Sequence, residues 1–184
     1  MEEVSVKKAE LRDKMLGQRK KLNLKQKRSY DQQICEKLKK LILIKEPVVV
    51  HAYLPIKQEI DITPLLSWLL NKKITVVCPK VLPKRQLENL ELLNLEDFDR
   101  GPFNTIHPAG NKVFNGDIDF VIMPGLAFYN DHNRLVYGGG YYDRFLVKHP
   151  ASLKAAICYP FQLIDKVPVE DHDIRMDRIV LIES

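Results

Sequence analysis

Three short apolar runs constrain the fold more than any other feature of the chain. They are "PVVVHAYL" (47–54), "IDFVIMPG" (118–125) and "LKAAICY" (153–159). Each is too short for a buried helix and is rich in residues that suit a buried strand. "KITVVCP" (73–79) reads as a further strand, "NLELLNL" as another around Leu90, and "RIVLIE" as the last. Helical stretches lie between. "DITPLLSWLL" has Thr63 as its expected N-cap and Pro64 at its first helical position. "GYYDRFLVKH" starts a helix near Gly140. Strands alternating with helices predict an α/β fold: an open, mainly parallel sheet with helices on both faces. Two basic helices precede it, one over Val6–Lys21 and one capped by Asn23 and running to about Lys40. Residues 101–116, dense in Gly, Pro and Asn, read as loop. The 184 residues suit a single domain spanning 1–184, with ligands at the carboxyl ends of the strands.

Charge is uneven. Residues 1–45 hold 14 Lys/Arg against 6 Asp/Glu (+8), and the remainder holds 15 against 18 (−3). A basic segment on a near-neutral body suits an anionic partner, whether nucleic acid, nucleotide or polyanionic metabolite; a solvated helix face is the competing reading. Cys35, Cys78 and Cys158 are an odd number without zinc-ligand spacing, which fits a reducing cytoplasm. No run has the length and apolarity of a membrane span, and "MEEVSVKKAELRDK" has no apolar signal core. The five histidines show no H-E-x-x-H spacing, and no serine sits in a G-x-S-x-G elbow.

The chemistry concentrates in "RLVYGGGYYDRFL", Arg134 to Leu146. Gly138, Gly139 and Gly140 allow positive φ and close approach of a ligand to the backbone. A helix beginning beside them aims free N–H groups at an anion. Arg134 and Arg144 add charge-assisted bonds to phosphate, and Tyr137, Tyr141 and Tyr142 offer flat faces or hydroxyls. The pattern is neither a Walker loop nor a G-x-G-x-x-G turn; a tight strand-to-helix connection is the alternative. Asp143 beside such a loop suits Mg²⁺, which is bound through few carboxylates and keeps its waters. Glu170, Asp171 and Asp173 lie together in "VPVEDHDIRMD", either to join that metal or as a solvated acidic turn. "KKAELR" puts Lys8 and Arg12 on one face of the first helix. "YLPIKQEID" places Leu54 and Glu59 after the first strand, either where a carboxylate can take paired N–H donors from a heterocycle such as a pterin or simply in a surface loop. Trp68 reads as core.

Four of these stretches together resemble the 5-formyltetrahydrofolate cyclo-ligase family, also called 5,10-methenyltetrahydrofolate synthetase: "KKAELR", "YLPIKQEIDITPLL", "MPGLAFYNDHNRLVYGGGYYDRFL" and "VPVEDHDIRMD". They occur in the family's order and span nearly the whole chain. One position departs: Val136 stands where the family has glycine, and a strained glycine geometry there would resist valine. The resemblance implies conversion of 5-formyltetrahydrofolate and ATP, with Mg²⁺, to 5,10-methenyltetrahydrofolate, ADP and phosphate, through a phosphorylated formyl intermediate. It implies ATP binding by Lys8, Ala9, Glu10, Leu11, Arg12 and by Arg134, Leu135, Val136, Tyr137, Gly138, Gly139, Gly140, Tyr141 and Tyr142. Folate binding falls to Leu54, Glu59 and Tyr137–Tyr141, catalysis to Arg134 and Tyr141, and Mg²⁺ to Asp143 and Asp173. The expected enzyme is a cytoplasmic monomer acting on folates, polyglutamylated ones included, without nucleic-acid or membrane partners. Two rival expectations stand beside it. A nucleic-acid-binding module would use the basic helices but leaves the Gly-Tyr-Asp loop unexplained. A family member silenced by Val136 would bind without turnover.

Overall fold

The structure, a computed structural model, describes residues 2–56, 58–166, 168–170 and 173–182. In chain order the elements are α1 (Glu2–Lys21), α2 (Leu24–Lys45), β1 (Val49–His51), α3 (Thr63–Asn71), β2 (Thr75–Leu82) and β3 (Gln86–Glu91). Then come β4 (Phe98–Arg100), β5 (Ile106–Pro108), β6 (Phe120–Met123), β7 (Ala127–Phe128), β8 (Arg134–Leu135), α4 (Tyr141–Lys148), β9 (Leu153–Cys158) and β10 (Arg178–Leu181). Six strands form one sheet in the order β10-β9-β6-β1-β2-β3. All neighbours pair in parallel except β3, which turns back antiparallel on β2.

Alternate residues of the central strands feed two cores, as the period of a strand requires. Val50, Phe120, Ile122, Ala155 and Ile157 meet Ile34, Leu38 and Ile42 of α2 and Leu65, Leu66 and Leu69 of α3. Val49, Val121, Met123, Ala156 and Cys158 face Phe145 and Leu146 of α4. Helices therefore cover both faces. The α1 helix lies elsewhere, its Met15 packed on Leu126, Ala127 and Leu135 of the β7–β8 hairpin.

This topology fixes where a ligand belongs. From β1 the chain crosses through α3 on one face to β2. From β6 it crosses through α4 on the other face to β9. The two strands are neighbours, so their outgoing connections diverge and leave a crevice at their carboxyl ends.

Local chemistry accounts for most boundaries. Asn23 Oδ1 accepts the Gln26 N–H at 2.8 Å and starts α2, which ends at Glu46 in a left-handed conformation, φ 50°. At α3 the cap differs from expectation. Thr63 is the first helical residue rather than the cap, and its N–H bonds Asp61 Oδ1 at 2.9 Å. Residues 101–116 are not all loop, because β5 lies within them and pairs with β4. Phe103 and Asn104, both at left-handed φ (59° and 60°), turn that hairpin.

His51 ends β1 inside the second core, with its ring 4.5 Å from that of Phe145 and neither nitrogen bonded to a partner among the described residues. Burial, helped by His149, pulls its pKa from 6.5 down to about 3. A depressed histidine contributes stability that is complete above pH 6.5 and is lost as pH falls from there towards 3. His51→Leu is expected to flatten that acid limb in a melting-temperature-against-pH series. A limb unchanged by the substitution would assign the acid sensitivity elsewhere.

Candidate active site

The glycine loop joins β8 to α4 and meets α1 across its length. Gly138 has φ +93° and Gly140 φ +66°, both positions that disfavour a side chain. Arg12 Nε donates to the Val136 carbonyl at 2.9 Å, and a Cβ at Gly138 would come within 2.9 Å of Arg12 Nη2. The glycine thus lets a guanidinium lie against the loop. Gly140 starts α4 with no side-chain cap, leaving the first N–H groups of the helix to a ligand.

One side of the loop is ionic. Arg134 is 4% exposed; its Nη2 bonds Asp143 Oδ1 at 2.7 Å, while Nε and Nη1 are buried without a partner among the described residues. Burial pulls its pKa down, and the charges of Asp143 and Asp173 oppose this. Lys8 is also buried, clamped between Glu170 Oε2 at 2.7 Å and Asp173 Oδ2 at 2.8 Å. Burial works to lower its ammonium, but the bonds to Asp173 and Glu170 outweigh that and raise it. Asp171 lies outside the described residues. Asp143 and Asp173 therefore stand by a common cation rather than as a preformed metal cage, and no group of three or more His, Cys, Asp or Glu able to hold a metal occurs among the described residues. Two carboxylates fit Mg²⁺ arriving with phosphate oxygens and water. The orphaned nitrogens of Arg134 fit the phosphates themselves.

The other side is a cavity of about 480 Å³ at the crevice between β1 and β6. Tyr53, Leu54, Pro79, Phe103, Pro124 and Tyr141 form its largely apolar wall. Its polar end is a chain of three groups: Arg19 Nη1 donates to the Tyr137 hydroxyl at 2.9 Å, and that hydroxyl donates to Glu59 Oε1 at 2.9 Å. Ile56 N–H reaches Glu59 Oε2 at 3.1 Å. Burial raises the Glu59 pKa despite these bonds, and burial likewise raises Tyr137 and Tyr142.

The loop is thus a wall between a cation-rich face and an apolar slot. Lys8, Arg12, Arg134, Asp143 and Asp173 gather on the first. Leu54, Glu59, Tyr137, Gly139, Gly140, Tyr141 and Tyr142 line the second, as does Val136. Of the other residues singled out from the sequence, Ala9, Glu10 and Arg144 are exposed, and Leu11 and Leu135 pack around Met15.

The model of the 5-formyltetrahydrofolate cyclo-ligase family matches residues 4–182. The chain belongs to that family. It is 31% identical over 179 residues to the 5-formyltetrahydrofolate cyclo-ligase of Mycoplasma genitalium, covering 95% of this chain and 98% of that protein. Its fold is similar to a solved Aquifex aeolicus 5,10-methenyltetrahydrofolate synthetase, with a TM-score of 0.82 at 32% identity over 95% of this chain and 89% of that one. A Mycoplasma pneumoniae 5,10-methenyltetrahydrofolate synthetase gives 0.76 at 27% identity, covering 94% and 97%.

Val136 is absent from the non-glycine residues with positive φ, so its backbone carries no strain that glycine would relieve. Val136→Gly is therefore expected to change turnover by no more than about twofold and to lower the melting temperature through added freedom of the unfolded chain. A large gain in rate would revive the idea of a silenced enzyme. Arg19 was not foreseen from the sequence. It lies seven residues beyond Arg12 on the same helical face, but its spacing alone does not separate a buried arginine from a solvated one.

Proposed function

We propose that the protein closes the ring of 5-formyltetrahydrofolate to give 5,10-methenyltetrahydrofolate, consuming ATP and releasing ADP and phosphate. The observation that carries this is the shared wall: one loop backs a cationic face with orphaned donors on one side and an apolar slot ending in a buried carboxylate on the other. A reaction that passes a phosphoryl group between two substrates needs that adjacency.

The triphosphate lies against Lys8–Arg12, the N–H groups of Gly138–Tyr142 and Arg134. Lys8 and Arg134 exchange their carboxylates for phosphate oxygens. Asp143 and Asp173, freed in this way, would hold Mg²⁺, which would supply neutralisation of the phosphate charge. The folate ring lies in the slot between Leu54 and Tyr141, its N–H groups on Glu59. The formyl oxygen attacks the γ-phosphorus and ADP leaves, while the N5 lone pair forms a C=N bond. N10 then attacks that carbon, loses its proton, and phosphate departs with the former formyl oxygen. Arg134 and the loop N–H groups stabilise the transferring charge, and Tyr141 holds the formyl group in line. The enzyme acts as a cytoplasmic monomer, and its basic N-terminal part suits polyglutamate tails as well as ATP.

With oxygen-18 in the formyl group, one label per turnover is expected in the released phosphate by mass spectrometry. Unlabelled phosphate would contradict formyl phosphorylation.

A further inference from the structure

One buried cation has no part in the reaction as described. Arg19 is 3% exposed, lines the cavity and bridges two places: Nη2 to the Gly125 carbonyl after β6, and Nη1 to the Tyr137 hydroxyl. Arginine only donates, and a phenol has one proton. With the Tyr137 oxygen accepting from Arg19, its proton goes to the remaining neighbour, Glu59 Oε1. Glu59 already accepts from Ile56 N–H on its other oxygen. The chain Arg19→Tyr137→Glu59 thus has a fixed polarity, and both carboxylate oxygens are held as acceptors.

We infer that Arg19 is a positioning residue, which orients the Tyr137 hydroxyl and keeps Glu59 an accepting carboxylate inside an apolar slot. That the slot holds a folate rests on the function proposed above; the state of Glu59 does not. The groups that act on Glu59 come from every side: Arg19 on α1, Lys27 on α2, Tyr53 after β1, Tyr137 on the loop and Tyr142 at the start of α4. Burial opposes its charge, while Ile56 N–H, the Tyr137 hydroxyl, Arg19 and Lys27 favour it. Without Arg19 one of these cations is lost and the hydroxyl is free to rotate away. Glu59 then takes up a proton at higher pH, and a protonated carboxyl presents a donor where an acceptor is needed.

The test follows Glu59 directly, by carbon-13 NMR of glutamate-labelled protein without ligand, with Glu59→Gln assigning the resonance. Arg19→Met is expected to move the Glu59 titration up by about one pH unit or more. Arg19→Lys, which keeps the cation, should recover part of the shift, and Tyr137→Phe, which removes the relay but not the cation, should move it up as well. In turnover assays the acid rise in KM for 5-formyltetrahydrofolate should shift with it, ahead of any change in kcat. A Glu59 titration unmoved in folded Arg19→Met, or in Arg19→Lys and Tyr137→Phe should Arg19→Met fail to fold, would overturn the inference. A shifted titration in a protein that makes no methenyl product would overturn the folate reading alone.

Discussion

Arg134→Met is expected to reduce turnover by about 10³-fold, roughly 4 kcal/mol of transition-state stabilisation, while leaving the protein folded. The wild-type guanidinium is buried with only one of its three nitrogens bonded to a partner among the described residues. Burying unsatisfied donors costs stability in the ligand-free protein. Methionine fills similar space and removes those donors. It leaves Asp143 unpaired, but that side chain is 14% exposed and reaches water. The melting temperature should therefore stay level or rise as activity collapses, the signature of a group held for function at the expense of stability. Turnover within tenfold of wild type would remove Arg134 from the mechanism. A collapse in melting temperature would recast it as a structural residue.

Glu59→Gln comes next in size. The amide keeps the volume and still accepts from Tyr137, but its NH₂ faces the Ile56 N–H, donor against donor. It also offers the ligand one acceptor fewer and no charge. Charge-assisted bonds contribute about 1.5–3 kcal/mol each, so the KM for 5-formyltetrahydrofolate should rise about 10- to 100-fold, with a smaller effect on kcat. The effect on stability should depend on pH. The folded pKa of Glu59 is raised, so the stability it allows is complete below its unfolded pKa and is lost as pH rises through the folded one. Glutamine escapes that loss, so the difference in melting temperature between variant and wild type should move in the variant's favour as pH rises, from a baseline lowered by the clash with the Ile56 N–H. An unchanged KM would make Glu59 a loop residue only.

How much of this could be read from the chain depends on how far apart the partners lie. The central strands are legible because Val49–His51, Phe120–Met123 and Leu153–Cys158 are buried on both faces, so their apolar runs are continuous. The direction of β3 is not written in its own residues; it follows from the short turn after β2. The β7–β8 hairpin, two residues a strand, is too short for any period to show. In residues 101–116 the Gly, Pro and Asn that signal loop are equally the residues of a tight hairpin. At the site, the glycine loop announces itself locally. The Lys8–Asp173 pair joins positions 165 residues apart, and the Tyr137–Glu59 bond spans 78. No local pattern encodes such pairings. Arg19 illustrates the limit, since its face of α1 is regular in sequence but its burial is decided by Gly125 and Tyr137, far along the chain.

The most direct measurement of the central claim is near-ultraviolet absorbance of the purified protein mixed with 5-formyltetrahydrofolate, ATP and Mg²⁺, alongside samples lacking each. The expected result is growth of the methenyl absorbance only when all three are present, with one ADP formed per methenyl product. Methenyl formation that proceeds equally without ATP, or ADP release with no methenyl product, would contradict it.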